Sequence, residues 1–316
     1  DYDPAKPSLW ESAENKTKLI ALWRKLAERY KDEPWVGGYD LINETNWTFS
    51  ESNNAPLWTL FQDLTTAIRE VDTNHIIILE GNSFANDYSG LPTLWDDNMV
   101  LSFHKYWTYN VSSALSFITN LRNSRNVPIW LGESGENSNT WFTNLIALCE
   151  SMNIGWSWWP VKKPGINNPL MVTVNDDYTR LINYWKGTAS APTVDAAFNA
   201  VLQFAENHKI ENCTFQRDVV DAMIRQPHSY ETLPYSLHTP GNPIFAVEYD
   251  LGRNNSAYSD EDTANYHLSE NGSYTNWNQG WSFRNDGVDI ENVPIRIPAM
   301  DLMLGGLPIM NGCFIL

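Results

Sequence analysis

No apolar run in the sequence approaches the roughly 18 residues that a membrane-spanning helix needs, so no segment reads as a span. Cysteine is scarce. Cys149, Cys213 and Cys313 lie far apart, which supports neither a disulfide framework nor a thiolate metal site. Basic residues are outnumbered, 21 Lys and Arg against 38 Asp and Glu, for a net charge of −17. Nothing here would neutralise a run of phosphates, which argues against a nucleic-acid partner. No G-x-G-x-x-G turn follows any apolar segment, so a dinucleotide-binding fold lacks its usual anchor. The first residue is Asp1, with neither Met nor a signal peptide before it.

What is present fits a globular chain. Its 316 residues suffice for about two domains. With 42% hydrophobic and 19% charged residues it can bury a core. Aromatics are in excess. Fifteen Trp and 14 Tyr on an acidic chain suit a surface that stacks flat, uncharged rings such as sugars. Filling the core is the competing use of the same side chains.

Two periodicities alternate over the first two thirds. Leu19, Leu22, Trp23, Leu26, Ala27 and Tyr30 recur at helical spacing, which predicts a helix over 14–32. Val36 to Ile42 reads as a strand. Leu57, Leu60, Phe61, Leu64, Ala67, Ile68 and Val71 mark a second helix, with Pro56 suited to its first turn. Strands are expected at His75–Leu79, Met99–Phe103, Val127–Gly132 and Ile154–Trp159, with helices near 111–124 and around Trp141–Cys149. Such alternation predicts a parallel sheet with helical crossovers. The strand ends Glu44, Glu80, His104, Glu133 and Trp159 recur about every 29 residues, close to the ~31 that each unit of a (β/α)8 barrel uses. The fold class expected is therefore α/β: a partial (β/α)8 TIM barrel, strands four to eight. Only 43 residues precede Glu44, whereas three further units need about 90, so the chain is expected to begin inside the barrel. Helices are predicted at 176–187, 193–207 and 215–226. The four prolines of 227–243 read as a linker, and the Asn-, Gly-, Ser- and Tyr-rich stretch from Ile244 as an all-β module.

Polar residues at the C-terminal ends of barrel strands are where such folds keep their chemistry. Glu44 and Glu133 each follow an apolar strand, a costly place for a carboxylate unless it is paired or useful. Two carboxylates facing each other across a barrel mouth suit glycoside hydrolysis, one donating a proton and the other attacking the anomeric carbon. Glu80 and Glu136 are further acids near the mouth, read as supporting charges.

Asn43-Glu44 with Asn46-Trp47, then Phe103-His104-Lys105-Tyr106, Trp130-Leu131-Gly132-Glu133 and Trp156-Ser157-Trp158-Trp159 occur in this order. Together they resemble glycoside hydrolase family 5, the cellulase-containing family of retaining (β/α)8 enzymes, over about residues 1–190. The resemblance implies that Glu44 is the general acid/base and Glu133 the nucleophile. It implies that Asn43 bonds the sugar 2-hydroxyl and that His104 and Tyr106 are the strand-six pair, with Tyr106 on the nucleophile. Trp159 corresponds to the stacking floor under the cleaved sugar, with Trp158 as the alternative, since adjacent strand residues point opposite ways. Trp47 is a candidate for lining a subsite. The family's strand-two arginine and strand-three histidine have no counterpart here.

A second resemblance begins at Ile244. IFAVEYDLG, NSAYSDEDTANY and WSFRNDGVDIE are similar to family 6 carbohydrate-binding modules, calcium-stabilised β-sandwiches attached to secreted glycanases. It implies a structural calcium with Glu248 and Asp250 as candidate ligands, although Val247 stands where these modules often carry an acid. Tyr258 and Phe283 are candidate sugar contacts or core residues. The resemblance stops after Glu291, and 292–316 are expected to be translated out of frame. The domains expected are thus 1–190 partial barrel, 191–226 helical extension, 227–243 linker and 244–316 incomplete sandwich.

The reading that follows is a secreted, monomeric, retaining β-glucanase, endo-β-1,4 in action, needing no cofactor for catalysis and taking β-glucan or a related polysaccharide as partner, with residues 1–316 alone expected to be inactive for want of the first barrel strands. A β-mannanase, β-1,3-glucanase or xylanase on the same scaffold remains open, as does a non-catalytic glycan-binding protein.

Overall fold

The computed structural model describes residues 5–50, 52–260, 283–288, 290–292 and 313–315. The tail expected to be out of frame lies outside the described residues apart from Asn292 and Cys313–Ile315. The chain forms two compact units. The first holds Asp1–Lys105, Val111–Ser134 and Met152–Ser157; the second holds Tyr106–Asn110, Gly135–Ser151 and Trp158–Leu316.

The first unit is built on a five-stranded parallel sheet with its strands in chain order. These are β1 (Gly38–Asp40), β2 (Ile76–Glu80), β3 (Met99–Lys105), β4 (Ile129–Ser134) and β5 (Gly155–Trp156). Helix α1 (Ala13–Tyr30) starts where the Ser12 side chain accepts from the Asn15 N–H at 3.1 Å. Helix α2 (Ala55–Arg69) carries Pro56 in its first turn, where the missing N–H costs nothing. Its face of Leu57, Leu60, Phe61, Leu64 and Ile68 is buried. So are the sheet residues Ile77, Leu79, Leu101, Phe103 and Leu131, which with α2 make up the apolar core of this unit. Helix α3 (Ser116–Arg125) ends at Asn126, whose φ of 49° turns the chain out.

Register decides which side chains share a face. Asp40 pairs with Ile78, and Glu80, two residues on, pairs with Ser102. His104, two residues further, pairs with Glu133. The last step crosses an irregularity: Phe103 pairs with Leu131, then His104 with Glu133, so Gly132 is an extra residue on β4. Without that bulge Glu133 would point to the opposite face. A Cβ at 132 would lie 2.1 Å from Ser102 Oγ, so any larger residue there would have to turn that hydroxyl aside.

The loop after β2 makes a left-handed turn. Ser83, Phe84 and Ala85 have φ of 54°, 55° and 67°, a rare run for residues with side chains. Asn82 ties this turn to the loop after β1: its Oδ1 accepts the Trp47 N–H at 3.0 Å and its Nδ2 donates to the Trp47 carbonyl at 2.8 Å.

The second unit contains α4 (Asn139–Ser151), α5 (Asp176–Trp185), α6 (Val194–Asn207) and α7 (Arg217–Ile224). A small sheet joins β6 (Lys162–Lys163), β7 (Leu170–Met171) and β8 (Thr214–Phe215). Helix α4 packs on α7, with Thr143 Oγ1 donating to the Ala222 carbonyl at 2.8 Å. Within 227–243, Leu233 exchanges backbone hydrogen bonds with Leu251 at 3.0 and 2.8 Å. The described residues of 244–260 hold one 3-10 turn, Ala246–Glu248, and isolated bridges. Two further strands, β9 (Ile290–Asn292) and β10 (Cys313–Ile315), pair antiparallel. Tyr258 and Phe283 pack against a small core of Val247 and Val288. Arg284 is buried over the Tyr249 ring and bonded to Asp286 at 2.5 Å.

Candidate active site

The C-terminal ends of β1 to β4 bring four acids and one histidine to one face of the sheet. His104 is at the centre. Its Nδ1 lies 2.8 Å from Glu44 Oε1 and 3.4 Å from Glu133 Oε2, and its Nε2 lies 3.1 Å from Glu80 Oε1. Both ring nitrogens therefore face acceptors, which only the imidazolium satisfies with two N–H donors. Burial alone would lower the pKa of His104. Hydrogen bonding and charge from Glu80, then Glu44 and Glu133, overcome this and raise it to about 9. An imidazolium at neutral pH is the consequence.

Glu44 follows β1 and has a φ of 48°, the left-handed region that side chains avoid. Glu80 offsets that strain: its Oε2 accepts the Glu44 N–H at 2.6 Å. Glu80 is only 2% exposed, whereas the side chains of Glu44 and Glu133 are 28% and 19% exposed. The two less buried acids thus face solvent and any ligand, and the third lies beneath them.

The ligand atoms of Glu44, His104 and Glu133 lie within 4.8 Å of one another. Among the described residues no other trio of His, Cys, Asp or Glu is so close. Within the trio, His104 Nδ1 faces an oxygen of each acid. One carboxylate oxygen of Glu44 thus lies within 4.8 Å of one of Glu133. Retaining glycosidases keep their two carboxylates roughly 5–5.5 Å apart, and inverting ones roughly 6.5–9.5 Å, to admit a water.

The other predicted residues fall as follows. Asn43 is exposed beside Glu44, and Trp47, 36% exposed, sits in the same loop under the Asn82 clamp. Tyr106, Trp158 and Trp159 belong to the second unit. There Tyr106 is half-buried and its carbonyl accepts Asn137 Nδ2 at 3.0 Å. Trp158 packs edge-on against Phe142 with ring centres 5.0 Å apart, while Trp159 is 51% exposed and bridges to Gly135. Glu136 pairs with Lys163. Glu248 accepts from Ser236 Oγ at 3.0 Å and faces His238 Nδ1 at 3.7 Å, and Asp250 is exposed. Neither belongs to a trio of close His, Cys, Asp or Glu ligand atoms among the described residues.

Asp40 escaped the sequence reading. It stands in the apolar stretch Tyr39–Ile42, so the rule that singled out Glu44 applies to it equally. Burial, then the charge of and hydrogen bonding with Glu80, push its pKa up to about 8.

The chain is 30% identical over 108 residues to a beta-xylosidase of Phanerodontia chrysosporium, a match covering 33% of this chain and 22% of that protein. It is 29% identical over 163 residues to an endoglycoceramidase of Hydra vulgaris, covering 45% and 31%. Against endoglucanase C of Acetivibrio thermocellus it is 28% identical over 101 residues, covering 31% and 28%. The chain spans less than a third of the length of each of these relatives. The family model for cellulase (glycosyl hydrolase family 5) matches residues 4–165, about half of the chain, and the chain belongs to that family.

Proposed function

We propose that this chain hydrolyses a β-linked glucan with retention, most simply as an endo-β-1,4-glucanase, through Glu44 and Glu133. The observation that carries this reading is the pairing of the two carboxylates within 4.8 Å around one imidazolium. Glu133 attacks the anomeric carbon as the carboxylate. The glycosidic C–O bond breaks, and Glu44 gives its proton to the departing oxygen. Water then displaces Glu133 at the same carbon and returns a proton to Glu44, so two inversions leave net retention. His104 lets the two acids share a small space by placing a positive charge between them. Exposed Trp47, in the loop after β1, supplies a flat face for a sugar ring.

The stretch 244–291 is read as a sugar-binding module of the same secreted protein, tested by retardation of the isolated intact protein in glycan-containing gels. The endoglycoceramidase relatives favour a second reading, with a glycoceramide in place of the glucan. One experiment separates the readings. The intact protein is incubated with cellulose, mixed-linkage glucan, glucomannan, xylan and a glycoceramide, and the first-formed anomer is followed by NMR. A β-anomer from a glucan supports the proposal. An α-anomer appearing first refutes retention, hydrolysis of the glycoceramide alone favours the second reading, and glycan binding without turnover makes the chain a lectin.

A further inference from the structure

We propose that Glu80 is a positioning residue that grips Glu44 through both its backbone and its histidine, and that Asp40 holds the proton that keeps this grip intact. The inference rests on the reading of Glu44 as the acid/base. It starts from a closed ring of contacts. One oxygen of Glu80 takes the Glu44 N–H at 2.6 Å, and the other takes His104 Nε2 at 3.1 Å. The far side of the same imidazole holds the Glu44 carboxylate at 2.8 Å. Glu44 is therefore fixed at its main chain and at its side chain by groups that share one buried carboxylate. Its left-handed φ makes this fixing necessary, because the backbone would otherwise relax to an extended conformation and carry the carboxylate away.

Asp40 lies below Glu80 on the same face, through the pairing of Asp40 with Ile78. Its Oδ1 is buried and has no hydrogen-bond partner. A buried oxygen left so beside a second carboxylate calls for an explanation, and a proton supplies it. With Asp40 neutral, the Asp40–Glu80 pair carries one negative charge, which Glu80 directs at Glu44 and His104. The charged groups facing Asp40 are Glu80 on β2, His104 on β3 and Glu133 on β4, and it faces the buried Tyr88 hydroxyl as well. With a pKa of about 8, Asp40 keeps its proton at neutral pH. In alkaline solution the second charge repels Glu80 and loosens its hold on the Glu44 N–H.

The test uses the intact protein and two near-isosteric variants. Asp40→Asn keeps a neutral group in place and cannot ionise. The alkaline limb of its kcat profile should move upward, from near 8 towards the histidine's value of about 9, while the acid limb stays. Glu80→Gln loses the charge and offers an NH2 to one of two donors. It should lose ~100-fold in kcat on substrates with poor leaving groups, the size of a general-acid contribution, with little change in KM. The kcat/KM on dinitrophenyl glycosides, whose departure needs no proton, should be nearly spared. A structural defect would depress both substrate types alike. An unmoved alkaline limb in Asp40→Asn, or equal loss on both substrates in Glu80→Gln, overturns the proposal. If Glu80→Gln fails to fold, the Asp40→Asn profile decides alone. Glu44→Ala serves as the reference: should it show no preference for activated substrates, the acid/base reading itself is wrong.

Discussion

Replacing His104 with glutamine should cost stability at neutral pH and much less in alkali. The magnitude follows from the cluster. His104 rises from 6.5 to about 9 because Glu80, Glu44 and Glu133 outweigh its burial, and that rise corresponds to roughly 3 kcal/mol of preference for the charged form. The folded-state value lies above the unfolded one. The contribution is therefore fully present below about 6.5 and disappears as pH rises through about 9. Glutamine is of similar size and keeps a donor, so the loss reports mainly on charge. Urea unfolding of His104→Gln and the parent at pH 6 should differ by about 4 kcal/mol, the roughly 3 of the shift and about 1 of a lost neutral hydrogen bond, with unchanged m-values. At pH 10 the difference should fall to about 1 kcal/mol, the residue of a lost neutral hydrogen bond. A direct NMR titration of the His104 ring should give a midpoint near 9. Equal deficits at both pH values, or a ring that titrates near 6.5, would refute the reasoning.

Glu133→Ala should stop turnover, with azide restoring it and giving an inverted product; Glu44→Ala should be rescued with a retained product and spare activated leaving groups. Identical behaviour of the two variants towards azide would remove this assignment of roles. Asp72 is buried and accepts Tyr39 Oη at 2.6 Å, His75 Nδ1 at 2.6 Å and the Asn74 N–H at 2.8 Å. Asp72→Asn should lose about 2–3 kcal/mol in urea unfolding at pH 7. Burial raises the Asp72 pKa, but these hydrogen bonds outweigh it and lower the value, so that deficit should shrink as pH falls below about 3.8; a constant deficit would contradict this. Gly90 has a φ of 74°, and a Cβ there would lie 2.1 Å from the Asn53 carbonyl oxygen. Gly90→Ala should lower the melting temperature and cost about 2 kcal/mol or more, and an unchanged Tm would show that the loop yields.

The sheet was legible because its period is simple. The helix face from Leu57 to Ile68 lies where the spacing put it, and the strands predicted at His75–Leu79 and Met99–Phe103 appear as Ile76–Glu80 and Met99–Lys105. The last strand of this sheet was read too long. Ile154–Trp159 shrinks to Gly155–Trp156, with Ser157 N–H still reaching the Leu131 carbonyl at 2.9 Å. Tryptophan is as apolar in a loop as in a strand, so the run hid the end. That Glu44 and Glu133 share one face was legible in residue type and order; that His104 stands against both was not. Nor was the bulge at Gly132, because a two-residue alternation carries no sign of an inserted residue except the glycine itself. Asp40 was hidden by its neighbours: one acid in an apolar strand gives no hint of which partner lies beside it until the register is known.

The left-handed turn at Ser83–Ala85 has a consequence for laboratory evolution. Each of these residues occupies a backbone conformation that costs a side-chain-bearing residue roughly 1–2 kcal/mol, and Asn82 keeps the loop from relaxing. Most positions around an active site tolerate change poorly because the ground lost in folding cannot be recovered nearby. Here it can. A glycine at 83 or 85 relieves strain in the very loop that borders the Glu44 segment, and so offsets a destabilising exchange made a few residues away. A library that couples glycine at these two positions with randomised Phe84 and Trp47 should therefore hold a larger share of folded members than one built on the parent turn.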